Sequence, residues 1–311
     1  MKKVLMFIIL VIVAFSMSGC TKMLKNDEGK PVINKETGQN LTENILCRPE
    51  DQTTIDIYKK NNINVNSLQE CKKFSITTGG YEGVWTTIFV KPLVWILIQI
   101  ELLVKNYGLS IIIITLAIRL LLMPITKKTA LQSENMKKVK PELDKLEKKY
   151  QGRKDNDSAM QKSQEMLALY KKYNISPLSG CLFSFIQIPL FLAFFEAMNR
   201  LPVIFEEKFL SFQLGTSPMT AFANNQYQYL IIIVLVFLTT YFSFKLNSGA
   251  TMSPEQANQM KFMMKFLLAF ILIISFSISA GIALYWIVNS GFTILQNILV
   301  KRSKKNEIIK V

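Results

Sequence analysis

The chain contains no histidine and only four cysteines among its 311 residues. The absence of histidine excludes Ser-His and Cys-His nucleophilic pairs as well as histidine metal ligands. The cysteines are too far apart in the sequence for a zinc site, and no glycine-rich phosphate loop is present. No feature of the sequence indicates a catalytic residue, a cofactor or a metal ion, so we expect a protein that is not an enzyme.

Acidic residues are also scarce. The chain has 22 Asp and Glu against 37 Lys and Arg, which gives a formal net charge of +15. Half of its residues are hydrophobic and its mean hydropathy is +0.25. This composition is too apolar for an ordinary soluble domain of the same length and leaves room for several membrane spans. The positions of the basic residues then predict which loops lie in the cytoplasm.

The N-terminus has the pattern of a secretory signal. Lys2 and Lys3 precede an apolar run from Val4 to Phe15, and the residues MSGC follow, ending at Cys20. Small residues directly before a cysteine resemble a bacterial lipoprotein signal, in which residues 1–19 are removed and Cys20 receives a lipid such as palmitate. The alternative is an uncleaved signal anchor. In either case, the residues after Cys20 begin outside the cell.

Residues 20–83 form a polar extracytoplasmic segment that is rich in Asn, Lys and Thr and shows no sustained hydrophobic periodicity. This pattern predicts either a loosely structured segment or a very small domain. Cys47 and Cys71 lie here, in an oxidising compartment, and form the one candidate disulfide pair. Two free thiols are the alternative, because spacing alone does not establish disulfide geometry.

Residues 84–105 are apolar but carry Lys91, Glu101 and Lys105. If this segment crossed the bilayer, the chain from Lys127 to Lys172, which holds thirteen Lys and Arg, would lie outside the cell. The positive-inside rule opposes that arrangement. We therefore predict that residues 84–105 form an interfacial helix on the outer face of the membrane.

Residues 106–126 have the length of a membrane span, since about twenty helical residues match a hydrocarbon core of ~30 Å. Arg119 lies inside this span, about 12 Å from the boundary marked by Lys127. Thr115, Arg119 and Thr126 fall on one helical face. The other predicted spans carry no Asp or Glu at this depth. Arg119 therefore either snorkels to the head groups or lies in a wet cavity open to the cytoplasm, with water or backbone oxygens around it.

Residues 127–177 are hydrophilic and predict a cytoplasmic helical hairpin. A turn at 151–157 separates its two helices, and Ser158 with Gln161 fits a capping box. The hairpin is either a solvated linker or a basic surface that contacts anionic lipids or ribosomal RNA. Apolar residues recur at steps of three and four on both sides of the turn: Met136, Val139, Leu143, Leu146 and Tyr150 before it, and Met166, Tyr170 and Tyr173 after it.

Four further spans are predicted within residues 178–300, at about 179–199, 226–244, 262–278 and 281–300. Four crossings return the chain to the side it left, so the basic tail at 301–311 is also cytoplasmic. The predicted fold is an all-α, polytopic membrane bundle of five transmembrane helices with a cytoplasmic two-helix hairpin.

Polar residues inside the later spans share helical faces. Gln187 lies in the second span, and Trp286, Asn289, Thr293 and Gln296 lie on one face of the last. Ordinary interhelical hydrogen bonds explain any one of them. Taken together with Arg119 and Thr115, they indicate a shared polar groove.

Three segments resemble the YidC membrane protein insertase family, in its five-span, lipoprotein-type Gram-positive form. The likeness covers about residues 89–301, with the segments in the family's order and spacing. They are NYGLSIIIITLAIRLLLMPIT at 106–126, SPLSGCLFSFIQIPLFLAF at 176–194 and SAGIALYWIVNSGFTILQNILV at 279–300.

The resemblance implies a multi-pass protein of the bacterial cell membrane with a hydrophilic groove open to the cytoplasm and to lipid. In that groove Arg119 would attract the polar outer segment of an incoming protein while its apolar segment slides into the bilayer. The implied partners are nascent membrane proteins, the Sec translocon, the ribosome and the signal recognition particle, together with anionic lipids.

Two other classes of function remain open at this point. A small channel or transporter could use Arg119 as an anion or proton site, although such folds commonly contain inverted repeats, which we do not find in this sequence. The chain could also be a membrane assembly scaffold in which the groove has no role.

Overall fold

The computed structural model describes residues 21–153, 155–173, 179–247 and 254–309. This part of the chain is mostly helical and confirms the predicted all-α class. The predicted signal peptide at 1–19 and the lipidation site Cys20 lie outside the described residues. The helices are α1 (Gln52–Lys60), α2 (Gly83–Trp85), α3 (Lys91–Val104), α4 (Tyr107–Lys149), α5 (Asn156–Lys172), α6 (Ser179–Arg200), α7 (Pro218–Ala223), α8 (Leu230–Asn247), α9 (Pro254–Ser275) and α10 (Ala280–Ile309).

Shorter elements connect these helices. A π-helical turn at Thr86–Val90 joins α2 to α3, and a 3₁₀ turn at Pro202–Glu206 follows α6. The strands β1 (Lys208–Phe209) and β2 (Phe212–Gln213) form an antiparallel hairpin in which Phe209 pairs with Phe212. Further 3₁₀ turns lie at Val65–Ser67, Cys71–Lys73 and Tyr227–Tyr229.

The chain divides into two compact units. The first unit contains the residues up to Ala117 together with Gln187–Val236 and Ile274–Val288. The second contains Ile118–Ile186, Phe237–Ile273 and Asn289–Val311. Helices α4, α6, α8, α9 and α10 each contribute residues to both units.

Several helices are apolar enough to cross a membrane. In the described residues four segments have the required length and composition: Gly83–Val104, Tyr107–Met136, Tyr227–Leu246 and Ala280–Ser303. Three of these cover the predicted spans at 106–126, 226–244 and 281–300, and the shorter apolar segment Phe262–Ser275 lies in the predicted span at 262–278. Helix α6 occupies the predicted span at 179–199. Gly83–Val104 also has the length and composition of a span, so the interfacial position of residues 84–105 stays a prediction.

The N-terminal module, residues 21–82, is a small folded domain. Isolated β-bridges join Met23 to Thr42 and Ile33 to Asn40, and the hydroxyl of Tyr58 donates to the carbonyl oxygen of Thr42 over 2.7 Å. A disulfide joins Cys47 and Cys71. Its core is formed by Leu24, Leu41, Ile45, Ile55, Tyr58 and Val65. The folded core decides between the two predicted alternatives in favour of a very small domain.

Hydrogen bonds to backbone groups of this module attach it to the end of α6 and to the 3₁₀ turn that follows. The amide of Leu46 donates to the carbonyl oxygen of Arg200 over 2.9 Å, and the Arg200 Nε donates to the carbonyl oxygen of Asn44 over 2.7 Å. The amide of Glu50 donates to Glu206 Oε2 over 2.9 Å. The module is therefore fixed to a membrane helix of the first unit rather than suspended from it.

A tight turn leads from α3 into α4. Lys105 takes the left-handed conformation at the end of α3, and the Asn106 side chain accepts the amide of Leu109 to cap α4. A Cβ atom at Gly108 would lie 2.3 Å from the ring of Phe209, so only glycine fits there. Glycine at this position therefore lets Phe209 of β1 pack against the first turn of α4.

The hairpin is formed by the second half of α4 and by α5. Met136, Val139 and Leu143 bury their side chains against Tyr170, as the two apolar stripes predict. Helix α4 runs without a break through the predicted boundary at residue 126. The predicted capping box is wrong. Asp155 is the N-cap of α5, and its carboxylate accepts the amide of Ser158 over 2.8 Å. The helix therefore begins before Ser158, which lies in its first turn and is not the N-cap.

Replacing both Cys47 and Cys71 with serine should destabilise the N-terminal module by about 2–4 kcal/mol, because the cross-link restricts the unfolded chain. We expect faster hydrogen exchange of the α1 amides in the double variant. The amides of the hairpin, which belong to the second unit, serve as the control and should keep their protection. Unchanged exchange in α1 would contradict a structural role for the disulfide.

The stability of the N-terminal module should also depend on Glu206. Burial raises the pKa of Glu206 to about 7, and the like charges of Asp51 and Glu50 act in the same direction. The folded state therefore binds more protons than the unfolded state between the ordinary pKa of 4.5 and about 7, so stability falls as the pH rises through this window. We expect a loss of about 1–3 kcal/mol between about pH 5 and pH 8.

Hydrogen exchange of the α1 amides, corrected for the intrinsic pH dependence, measures this effect. Glu206→Gln keeps the shape of the side chain and removes the titration, so the variant should show a flatter pH profile. A wild-type profile in which stability rises over the same pH window would contradict the assignment.

Candidate functional site

Arg119 points into the helical bundle. It lies in α4, its side chain is only 2% exposed, and its Nε donates a hydrogen bond of 2.6 Å to Oδ1 of Asn289 in α10. Both residues belong to the second unit. This geometry differs from the snorkelling alternative, in which the guanidinium would extend to the head groups. The sequence predicts water or backbone oxygens around Arg119, whereas the structure places a side-chain amide oxygen at its Nε.

A second polar contact lies two helical turns further along. Gln296 Nε2 of α10 donates to Thr126 Oγ1 of α4 over 2.7 Å. The two contacts have the same sequence offset of 170 residues, and Arg119 and Thr126 are spaced as Asn289 and Gln296 are. Helices α4 and α10 therefore run parallel, and a seven-residue spacing brings the same faces together twice.

The Arg119–Asn289 contact is partly buried and the Thr126–Gln296 contact is buried, and this burial determines the chemistry available at the site. Thr126 and Gln296 are buried, as is Thr293, whose hydroxyl donates to the carbonyl oxygen of Asn289 in its own helix. Hydrogen bonds satisfy polar groups that would be costly to expose to hydrocarbon. The amide of Asn289 is neutral, so the bond to Arg119 orients the guanidinium without neutralising its charge. The site can attract an anionic or strongly polar group and has no feature of a nucleophile.

The remaining predicted groove residues belong to the first unit. Thr115 is buried, and its hydroxyl donates to the carbonyl oxygen of Ile111 one turn earlier in α4. The ring of Trp286 packs edge-on against Phe191 with ring centroids 5.3 Å apart, and Gln187 is half-buried. The structure thus brings Arg119 to Asn289 and Thr126 to Gln296. Helical spacing places Thr126 on the same face as Arg119, but Thr126 is not among the predicted groove residues.

A buried ionic cluster in the first unit is a second feature that sequence reasoning missed. Lys91 is fully buried, and its Nζ lies 3.0 Å from a carboxylate oxygen of Glu82. Arg200 contacts the same carboxylate and also Glu196, with 3.3 Å between Nη1 and Oε1. Trp85 Nε1 donates to Glu196 over 3.0 Å. In the sequence, the spacing of Glu196 and Arg200, four residues apart on one helix, indicates an ion pair between them, but spacing does not indicate the contacts to Glu82 and Lys91.

The charges of this cluster satisfy each other. Burial alone would raise the pKa of Glu82, but hydrogen bonds from Arg200 and Lys91 outweigh it and hold the pKa below its ordinary value. Lys91 also donates to the carbonyl oxygens of Thr78 and Gly80. The cluster joins the N-terminal module to α3 and α6. Within the part of the chain that the structure describes, no group of three or more Cys, Asp or Glu side chains could hold a metal ion.

Comparison with known proteins identifies the family. The model of the 60Kd inner membrane protein family matches residues 99–307, which is two thirds of the chain. The chain is 34% identical over 230 residues to "Membrane protein insertase YidC" of Oceanobacillus iheyensis, covering 72% of this chain and 86% of the relative.

Two further relatives have similar identity and coverage. "Membrane protein insertase YidC" of Alkalihalophilus pseudofirmus is 37% identical over 222 residues, 70% of this chain and 82% of the relative. "Membrane protein insertase MisCA" of Bacillus subtilis is 33% identical over 218 residues, 70% of this chain and 79% of the relative. The extent of the family match and the identity to these relatives show that the chain belongs to the YidC membrane protein insertase family.

Proposed function

We propose that this chain is a membrane protein insertase and chaperone that moves nascent membrane proteins from the cytoplasm into the lipid bilayer. It acts without covalent chemistry, alone or with the Sec translocon. Membership of the insertase family supports the activity. The observation that carries the mechanism is the buried guanidinium of Arg119, held by the neutral amide of Asn289.

The mechanism is a reduction of the cost of moving polar chain through hydrocarbon. A polar or acidic segment that enters the membrane loses its hydration, and this loss opposes insertion. A positive charge fixed inside the bundle offers such a segment a favourable electrostatic contact part of the way across. The apolar segment of the substrate then enters the lipid under the hydrophobic effect.

The proposed groove combines Arg119 and Asn289 with the other polar residues of the membrane helices. Burial of Thr115, Thr293 and Gln296 supports a role inside the bundle rather than at the lipid surface. The remaining proposed members are Gln187 and Trp286.

The chain is a multi-pass membrane protein, and we propose its orientation from its charges. Thirteen Lys and Arg between Lys127 and Lys172, together with the basic tail at 301–311, favour a cytoplasmic hairpin and a cytoplasmic C-terminus. Residues 21–83 then lie outside, where a disulfide such as Cys47–Cys71 persists. We also propose that Cys20 carries a lipid anchor, from the small residues that precede it in the sequence.

The hairpin is the proposed contact surface for the ribosome and the signal recognition particle, with the tail and nearby anionic lipids contributing. The apolar stripes of its two helices pack against each other, with Met136, Val139 and Leu143 in contact with Tyr170. Several of its lysines are exposed, among them Lys138, Lys140 and Lys148. A basic surface on a rigid support suits the phosphate backbone of RNA.

Replacing Arg119 with alanine should strongly reduce insertion of a small single-span substrate with acidic residues outside, whereas Arg119→Lys should retain it. Asn289→Leu should reduce insertion, because the guanidinium loses the oxygen that orients it. We expect a decrease on the order of tenfold or more for Arg119→Ala, in line with the about 1.5–3 kcal/mol of a charged hydrogen bond. The measurement is protease protection of the substrate in cells depleted of their own insertase.

The matched control is Leu120→Ala, one residue along the same helix, where the side chain is 57% exposed. It should insert the substrate as well as the wild type does. If Arg119→Ala, present at wild-type levels, also restored full insertion, the proposed groove mechanism would be wrong. Wild-type protein that is expressed but inserts nothing would favour the channel, transporter or scaffold alternatives.

Replacing Lys138, Lys140 and Lys148 together with glutamate should weaken binding of the detergent-solubilised protein to ribosomes and flatten its salt dependence, because fewer phosphate contacts release fewer counterions. Co-sedimentation at increasing salt measures both effects. The control is the same charge reversal at Lys59, Lys60 and Lys72 in the N-terminal module, where the lysines are also exposed. Equal losses in the two variants would show a nonspecific charge effect and contradict a binding role for the hairpin.

A further inference from the structure

A cavity of about 350 Å³ lies in the first unit, between the N-terminal module, α6 and the residues that join α9 to α10. This volume falls within the ~300–1,000 Å³ typical of ligand pockets. The open surface of the wall is mostly apolar, although polar residues also border the cavity. The apolar residues are Met23, Trp85, Leu192, Phe195, Ile278 and Ile282. A lining of this kind suits a hydrocarbon chain better than a polar ligand.

The cavity wall begins at the residue that follows Cys20. Thr21 lines the cavity, and the chain directly after it is held in place. The amide of Lys22 donates to Asn44 Oδ1 over 2.9 Å, and the Lys22 carbonyl oxygen accepts the amide of Glu43 over 2.7 Å. Thr21 directly follows Cys20, the proposed lipidation site, so a single peptide unit of about 3.8 Å between Cα atoms separates that site in the chain from a wall residue.

One polar group in the wall has no partner of its own. The hydroxyl of Ser279, a residue only 8% exposed, makes no hydrogen bond among the described residues. Glu196, the charged residue in the wall, is already bonded to Trp85 and Arg200. A buried hydroxyl of this kind is commonly matched by an acceptor. The Ser279 oxygen is itself covered by surrounding atoms and Glu196 is already bonded, so neither residue favours a polar occupant over an apolar one.

We propose that the cavity receives an acyl chain of the lipid attached to Cys20. This inference rests on the lipidation proposed above. The attached chain is favoured over a free phospholipid because covalent attachment one residue from the wall gives it a high effective concentration at the cavity. The lipid then fixes the N-terminal module to α6 and α10 instead of serving only as a tether to the bilayer. The N-terminal module, which forms one side of the cavity, lies outside the family match, because that match begins at residue 99.

Photo-crosslinking tests this proposal. The full-length protein is produced in bacteria that process lipoproteins and are supplied with a diazirine-labelled fatty acid. After irradiation, intact mass reports the lipid on Cys20, and peptide mapping locates the crosslinks. We expect the label on peptides that contain Leu192, Phe195 or Ile282, and the loss of these crosslinks in Cys20→Ala.

A second variant tests the cavity itself. Ile282→Trp fills the space and should lose the crosslinks while keeping the lipid mass on Cys20. The matched control is Ile273→Trp, at a residue of α9 that is exposed and outside the cavity wall, which should keep them. Retention of the crosslinks in Ile282→Trp would overturn the proposed location.

The outcomes separate this inference from the proposals on which it rests. The same crosslinks in Cys20→Ala would identify a membrane phospholipid as the occupant and overturn the proposal. A lipid on Cys20 with crosslinks only outside the cavity would overturn it too, while lipidation would stand. An intact mass without lipid would refute lipidation and with it the occupant. Insertase activity is decided separately by the Arg119 variants.

Discussion

The hydrogen bond between Arg119 and Asn289 is the contact on which the interpretation of this protein depends. A guanidinium inside a membrane bundle must be held by protein or water, since hydrocarbon offers it nothing. Asn289 holds it with an amide oxygen, 2.6 Å from Nε. A carboxylate at that position would hold it more strongly but would also cancel its charge. The neutral amide of Asn289 orients the side chain without adding a negative charge of its own.

The parallel register of α4 and α10 is what makes this contact possible. The Thr126–Gln296 contact repeats the offset of the Arg119–Asn289 contact seven residues later, so the two helices are fixed at two points. Seven residues are close to two helical turns, and both contacts therefore fall on the same pair of faces. A shift of either helix by one residue would break both contacts at once. Polar residues inside a bundle specify register in this way even where each bond adds little stability.

Local patterns in the sequence predict much of this fold but not its pairings. The polar face with Arg119 and the stripes that pack Val139 against Tyr170 follow from helical periodicity, which depends only on neighbouring residues. The choice of Asn289 among the polar residues of α10 depends on how two segments 170 residues apart align, and periodicity carries no such information. The small core of the N-terminal module has no sequence period either, because isolated bridges and turns bring its apolar residues together.

Buried charge takes two forms in this chain: charges in ion pairs, and the Arg119 guanidinium that the amide of Asn289 orients. Lys91 and Arg200 are matched by Glu82 and Glu196, and such saturated clusters hold parts together but leave little field for anything else.

The N-terminal module needs this cluster because about sixty residues bury too little apolar surface to be robust alone. A disulfide, the ionic cluster and hydrogen bonds to α6 compensate for its small core. By the same reasoning, the proposed lipid would stabilise the module by adding apolar contacts along the cavity wall. Matched charges therefore serve assembly in the first unit, whereas the proposed work of insertion depends on the buried guanidinium that Asn289 orients.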